Sequence, residues 1–159
     1  MKFNSALRNF VLVLFSTLLI SACSTAKKAA VDTVDDVYTG TDTVEYLAKG
    51  VPDRVFFATN KSKLTTRSRD TLRKQATWLR KNKDVTVTVE GHADERGTRE
   101  YNLALGERRA NAAKDYLMTY GVSGKRITVI SYGKEKPVNP ASNPLAWSQN
   151  RRSVTVKAN

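Results

Sequence analysis

Hydrophobic and polar positions change period several times along the chain, and each change marks an element. Residues 10–20 are uncharged and mostly apolar, but a bilayer-spanning helix needs about 20 such residues. This run of 11 is too short to span. Residues 51–57 are β-branched and aromatic and predict a strand. Leu72, Ala76 and Leu79, spaced by four and three, predict one apolar stripe on a helix over residues 66–81, with Thr66 as N-cap and Asn82 closing it. Residues 85–90 alternate valine with polar side chains, the period of a half-buried strand, and stop at Gly91. A second helix is predicted over residues 102–120, with Leu105, Ala112, Ala113, Tyr116 and Tyr120 inward and Gly121 at the left-handed C′ position. Residues 127–132 and 153–157 predict two more strands. Pro137, Pro140 and Pro144 impose a loop between them, broken by one helical turn at 145–149. The order β-α-β-α-β-β predicts an α/β fold of the α+β sandwich kind, with helices packed on a small mixed sheet.

Charge divides the chain. The net charge is +12, yet residues 24–53 hold six acids against three bases among many Thr, Ala and Gly. That stretch reads as a flexible tether, with a relaxed reach of roughly 30 Å. From Arg54 onward 22 bases face 9 acids, so the positive excess belongs to the folded part and points to an anionic partner. Arg67, Arg69, Arg73, Lys74, Arg80, Lys81 and Lys83 read as a solvated helix face. Their rival reading is neutralisation of nucleic-acid phosphates.

The N-terminus argues against nucleic acid, because it marks export. Lys2 and Arg8 form a positive n-region, the apolar run follows, and Ser21 and Ala22 supply the small residues of a cleavage site. The single cysteine, Cys23, stands at that junction and has no second cysteine with which to form an internal disulfide. Leu19-Ile20-Ser21-Ala22-Cys23 resembles the lipobox of bacterial lipoproteins. The resemblance implies cleavage before Cys23 and lipidation of its thiol and amino group, and two or three acyl chains make a lasting anchor. Ser24, where an Asp would retain the protein at the inner membrane, implies the periplasmic face of the outer membrane. The expected organisation is a signal peptide at 1–22, a lipidated tether at 23–50 and a folded domain at 51–159. An ordinary signal peptide followed by a buried cysteine is the bland alternative.

The densest chemistry lies in Thr88-Val89-Glu90-Gly91-His92-Ala93-Asp94-Glu95-Arg96-Gly97-Thr98, followed by Tyr101-Asn102, Leu105-Gly106-Glu107-Arg108-Arg109-Ala110, Ser131-Tyr132-Gly133 and Asn150-Arg151-Arg152. Asn102, Leu105 and Arg109 share one helix face, and the loop over 92–99 can carry Asp94 to it. A carboxylate and a guanidinium side by side suit a zwitterion, the first taking an ammonium and the second gripping a carboxylate. The same two residues also read as a structural pair bridging loop and helix. His92, Asp94 and Glu95 are too few soft ligands for zinc, so neither metal nor cofactor is expected. Cys23 would be acylated and no nucleophile-base-acid order appears, so no catalytic residue is expected. His92 reads as a strand-end residue bonded locally, Trp78 as packing, and Trp147 as a loop anchor or part of a partner surface.

These motifs resemble the OmpA-like peptidoglycan-binding domain family from residue 51 to the end, 109 of the 159 residues. The resemblance implies binding to the diaminopimelate of the peptidoglycan stem peptide, with Asp94, Leu105 and Arg109 aligning with the family's ligand-binding groups. Asn102 and the wall at Phe57 belong to the same expected site. The family's lipid-anchored members end the first strand in Phe-Asp, and here Phe57 is followed by Ala58. Either a main-chain group replaces that carboxylate or affinity is lower. For those members the resemblance further implies a non-catalytic link between outer membrane and wall. The implied partner is the periplasmic β-propeller component of the Tol system, met over Glu95, Arg96, Lys134, Glu135 and Lys136. A wall-modifying enzyme using the same ligand is the alternative.

Overall fold

The computed structural model describes residues 36–158, so the signal peptide, Cys23 and the tether up to residue 35 lie outside the described residues. Residues 36–50, assigned to the tether by composition, are built into the fold. Val37, Tyr38 and Leu47 are buried, and the Tyr38 ring stands edge-on to Phe56 with centroids 4.8 Å apart. Strand β1 (Tyr46–Ala48) pairs antiparallel with β2 (Val51–Pro52). Composition misleads because three of the acids are bonded rather than solvating. Asp36 accepts from Thr59, Asp42 from Gln149 Nε2 at 3.0 Å, and Asp53 from Arg54 at 2.8 and 2.7 Å.

The expected strand over 51–57 is broken in two. Asp53 sits between β2 and β3 (Arg54–Phe56), donating its N–H to Glu45 and accepting from the Thr155 N–H. Helix α1 (Thr66–Lys81) is capped by Thr65 rather than Thr66, its Oγ1 accepting from the Ser68 N–H at 3.1 Å. Carbonyls at its far end are met by Arg126, which donates to Leu79, Asn82 and Val85.

Strand β4 (Val87–His92) buries Val87 and Val89 as the alternation requires, but it runs through Gly91 instead of ending there. Helix α2 (Arg99–Thr119) crosses at that point. A Cβ on Gly91 would lie 1.8 Å from the Gly106 carbonyl oxygen. The buried face of α2 is Asn102, Leu105, Gly106, Arg109, Ala110, Ala113 and Leu117. Of the expected inward residues, Ala112 and Tyr116 are only half-buried and Tyr120 is exposed. Small side chains face the sheet because the backbones approach closely, while Tyr116 and Tyr120 stack on each other outside, centroids 5.0 Å apart. Gly121 takes φ +83, as its C′ position predicts.

A 3₁₀ turn (Gly124–Arg126) leads into β5 (Ile127–Gly133), and α3 (Pro144–Asn150), capped by Asn143, leads into β6 (Arg152–Lys157). The sheet order is β3-β6-β4-β5, with β4 and β5 parallel and the other pairs antiparallel. The parallel pair needs a crossover, which α2 supplies. Both long helices share one core with the sheet through Phe57, Leu72, Leu79, Val87, Val89, Ala113, Leu117 and Ile127. This is the expected class of helices on a small mixed sheet.

Gly91→Ala is expected to push α2 off β4 and to cost about 1–3 kcal/mol, the usual range for overpacking. Thermal unfolding followed by circular dichroism measures it, and an unshifted midpoint would mean the two backbones have room to part.

Candidate ligand-binding site

Strand β4 ends at His92, and its register with β5 carries Asp94 to the top of the sheet: the Ala93 N–H donates to the Gly133 carbonyl at 2.8 Å. The loop then turns back through Gly97, φ +89, into the Thr98 cap of α2. It is braced on several sides. Asn102 Nδ2 donates to the Arg96 and Thr98 carbonyls at 2.8 and 3.1 Å, and Lys134 Nζ donates to those of Glu95 and Gly97. Trp147 Nε1 donates to Glu95 at 2.8 Å, and the Arg96 guanidinium lies 4.4 Å over the Trp147 ring. Trp147 is thus a loop anchor, and Asn102 holds the loop rather than opening toward solvent.

Asp94 is buried and is met by two arginines, neither of them Arg109. Arg96 donates from its backbone N–H, from Nε at 3.1 Å and from Nη2 at 2.7 Å, and Arg151 Nη1 donates at 3.3 Å. Burial alone would raise the Asp94 carboxyl, but the hydrogen bonds from Arg96, then its charge, then Arg151, hold it below the ordinary value of 3.8. Arg109 lies fully buried beneath, its fork spent on main-chain carbonyls: Lys61 at 2.9 Å, His92 at 2.8 Å and Ala58 at 3.1 Å. Its guanidinium stands 5.3 Å from the centroid of the Phe57 ring. Burial, and then the neighbouring Arg151, lower its pKa to about 9, which leaves it a cation at neutral pH. Leu105 is buried on the same face. The structure therefore gathers Asp94, Asn102, Leu105, Arg109, Phe57 and Ala58 into one region, without the expected direct Asp94–Arg109 contact.

Two groups that sequence reading did not place complete the cluster. Arg151, just ahead of β6, donates from Nε to the Phe57 carbonyl at 3.1 Å, and its Nη2 lies 3.2 Å from the Asp36 carboxylate. Asp36 in turn accepts from the Thr59 N–H at 2.9 Å and from the Thr59 hydroxyl. Arg151 stood in a motif that the reading singled out without a role. Asp36 had no local signal at all, being 115 residues from Arg151. The mouth thus carries two carboxylates and two guanidiniums. The side chains of Asp36 and Arg96 are each 43% exposed, while Asp94 and Arg151 are 9% and 3% exposed beneath them. An incoming ammonium can replace Arg96 on Asp94, and an incoming carboxylate can replace Asp36 on Thr59 and Arg151. Beside Ala58 opens a groove of about 600 Å³, lined by Val37, Leu64 and the cations Lys61, Lys63 and Arg69.

His92 does not make the expected local bonds. Neither ring nitrogen has a hydrogen-bond partner, although Glu90 Oε2 lies 3.4 Å from Nε2. Burial, then the charges of Arg152, Lys136 and Arg54, lower its pKa to about 3. Among the described residues no group of three His, Cys, Asp or Glu could hold a metal ion, and no helix is long and apolar enough to cross a membrane.

Residues 56–151 match the OmpA family. The chain is 43% identical over 154 residues to the peptidoglycan-associated lipoprotein of Mesorhizobium japonicum, covering 94% of this chain and 92% of the relative. It is 57% identical over 106 residues to the protein of the same name in Rhizobium meliloti, covering 67% of this chain and 60% of that relative's length. The crystal structure of the peptidoglycan-associated lipoprotein from Burkholderia pseudomallei superposes with a TM-score of 0.65 at 35% identity, covering 67% of this chain and 90% of that one.

Proposed function

The chain belongs to the OmpA family, and from that premise we propose that it is a lipid-anchored, non-catalytic protein that holds peptidoglycan from the periplasmic face of the outer membrane. The ligand is the diaminopimelate end of the stem peptide, whose ammonium and carboxylate match the two signs of charge at the mouth. The observation that carries this reading is the Asp94 carboxylate, buried yet held ionised by Arg96 and Arg151 beside the Arg109 floor. The names of these relatives, peptidoglycan-associated lipoproteins, support the wall as the binding surface. Lipid on Cys23 supplies the membrane attachment, and the Tol-system β-propeller protein is the proposed protein partner.

The test is sedimentation of the chain from Ser24 onward, which keeps every described residue, with purified peptidoglycan. Reversible co-sedimentation without released muropeptides is expected; release of muropeptides would make the protein an enzyme instead. Asp94→Ala removes one member of a desolvated charged contact, typically worth 2 to 5 kcal/mol, so wall affinity is expected to fall about thirtyfold or more. Affinity equal to that of the parent chain would remove Asp94 from the site.

A further inference from the structure

We propose that Asp36 is an internal carboxylate seated where a ligand carboxylate binds, so that the protein holds its own acid seat closed and a ligand enters by displacing it. The inference rests on the wall-binding reading above, and it adds a carboxylate subsite and its resident occupant.

Two Thr59 donors and one guanidinium meet at the Asp36 carboxylate, the guanidinium pairing with it while donating to the Asp36 main-chain carbonyl. The Thr59 N–H reaches Oδ1 at 2.9 Å and Oδ2 at 3.3 Å, the Thr59 hydroxyl donates to Oδ2, and Arg151 Nη2 lies 3.2 Å from Oδ2. A backbone amide, a hydroxyl and a guanidinium on one carboxylate form a complete set of acceptor contacts, and any small carboxylate asks for the same set. Arg151 also holds Asp94 through Nη1 at 3.3 Å. One guanidinium therefore links the acid seat to the carboxylate proposed to take the ammonium, so the two subsites are neighbours across Arg151.

Asp36 is placed to leave. Its side chain is 43% exposed whereas that of Arg151 is 3% exposed, so the donors belong to the fold and Asp36 lies over them. Its backbone has φ +47, a left-handed conformation that costs most L residues and that Asp tolerates better than most. The next two residues, Val37 and Tyr38, are buried against Phe56, so Asp36 can swing off while the segment stays docked. Charge favours refilling the vacated seat. With Asp36 gone, Asp94 alone faces Arg96 and Arg151, with the Arg109 cation beneath.

The experiment uses the chain from Ser24 onward, with acetate as the carboxylate probe and the Thr59 backbone amide followed by two-dimensional NMR. In Asp36→Ala, acetate is expected to move that amide saturably. In the parent chain the same shift should need at least about tenfold more acetate, and chloride at equal ionic strength should move neither. Binding to peptidoglycan is measured in parallel. A site that is its own competitor shows its intrinsic affinity divided by the fraction open, so Asp36→Ala is expected to bind the wall about three- to tenfold more tightly. Two results overturn the proposal. If acetate leaves Thr59 unmoved in the variant, no carboxylate seat exists. If the variant binds the wall more weakly, or equally, Asp36 is not a competitor. Should neither chain bind the wall while acetate still fills the variant's seat, the wall reading fails, the identity of the displacing ligand fails with it, and Asp36 remains the seat's occupant.

Discussion

Arg109→Ala is expected to lose roughly 2–4 kcal/mol of folding stability as well as wall binding. Its donors meet the carbonyls of Ala58 and Lys61, in the turn between β3 and α1, and of His92 at the end of β4, so one guanidinium ties two stretches of chain together. The His92 carbonyl is the buried acceptor left without this donor, at about 1–3 kcal/mol, whereas Ala58 keeps the Lys61 N–H and Lys61 is near solvent; the contact with Phe57 goes as well. Against a typical domain stability of about 5–15 kcal/mol, such a loss brings the variant close to unfolding. Arg109→Lys keeps the charge, but a single ammonium cannot fork to three carbonyls, so it should fall between parent and alanine. Urea unfolding beside the sedimentation assay separates the two effects. If Arg109→Ala unfolds at the parent's midpoint, water has replaced the guanidinium and the residue is a ligand grip only. Sequence spacing presents Arg109 as such a grip, free to be removed without harm to the fold. Its complete burial reverses that expectation and makes Asp94 and Asp36 the cleaner probes of binding.

What was legible in the sequence is what local physics controls. Valine alternation places Val87 and Val89 in the core, and the spacing of Leu72, Ala76 and Leu79 gives the buried face of α1, with its N-cap one residue off. Gly121 was legible because a helix C′ position has few other solutions. The inward face of α2 holds the expected Leu105 and Ala113, with Tyr116 packing at the core's edge, but Tyr120 lies outside and Gly106, Arg109 and Ala110 lie within. At a close helix-sheet crossing the deciding property is smallness, and Gly91 and Gly106 meet there with no room for a side chain. Within the site, Asp94, Asn102, Leu105 and Arg109 were found because helical spacing and a short loop bring them together. Their true partners were missed because charge pairing across strands and segments has no period. Arg151 reaches Asp94 through the antiparallel β4–β6 pairing, and Asp36 arrives from a stretch whose composition resembles a tether.

His92 should make the fold progressively less stable as the solution is acidified, with a slope that can be assigned to one side chain. It is the chain's single histidine, and it is 1% exposed between Tyr132, 5.5 Å away centroid to centroid, and the cations Arg152, Lys136 and Arg54. Burial, then the three cations, outweigh the Lys136 main chain that favours protonation, and the folded pKa drops to about 3 from 6.5. Below pH 6.5 the unfolded chain therefore takes up a proton that the folded chain refuses. Stability is fully present above that value and falls with pH toward 3, by up to about 1.4 kcal/mol per pH unit and roughly 3–5 kcal/mol in all. Asp94 acts with the same sign in a lower window, because its folded value lies beneath 3.8 and its contribution is lost only as pH falls through it. Glu95, held below 4.5 by Trp147 and then Ser142, adds the same sign from there down, so the range between about pH 6.5 and 5.5 isolates His92. His92→Phe retains a ring and the main-chain carbonyl that Arg109 needs, and it removes two buried nitrogens that have no hydrogen-bond partner. It should flatten the slope whatever its effect at neutral pH. Urea unfolding at several pH values in that range decides the matter. Equal slopes in parent and variant would assign the lost protons to other groups, and the cations around His92 would then have no measurable effect on acid stability.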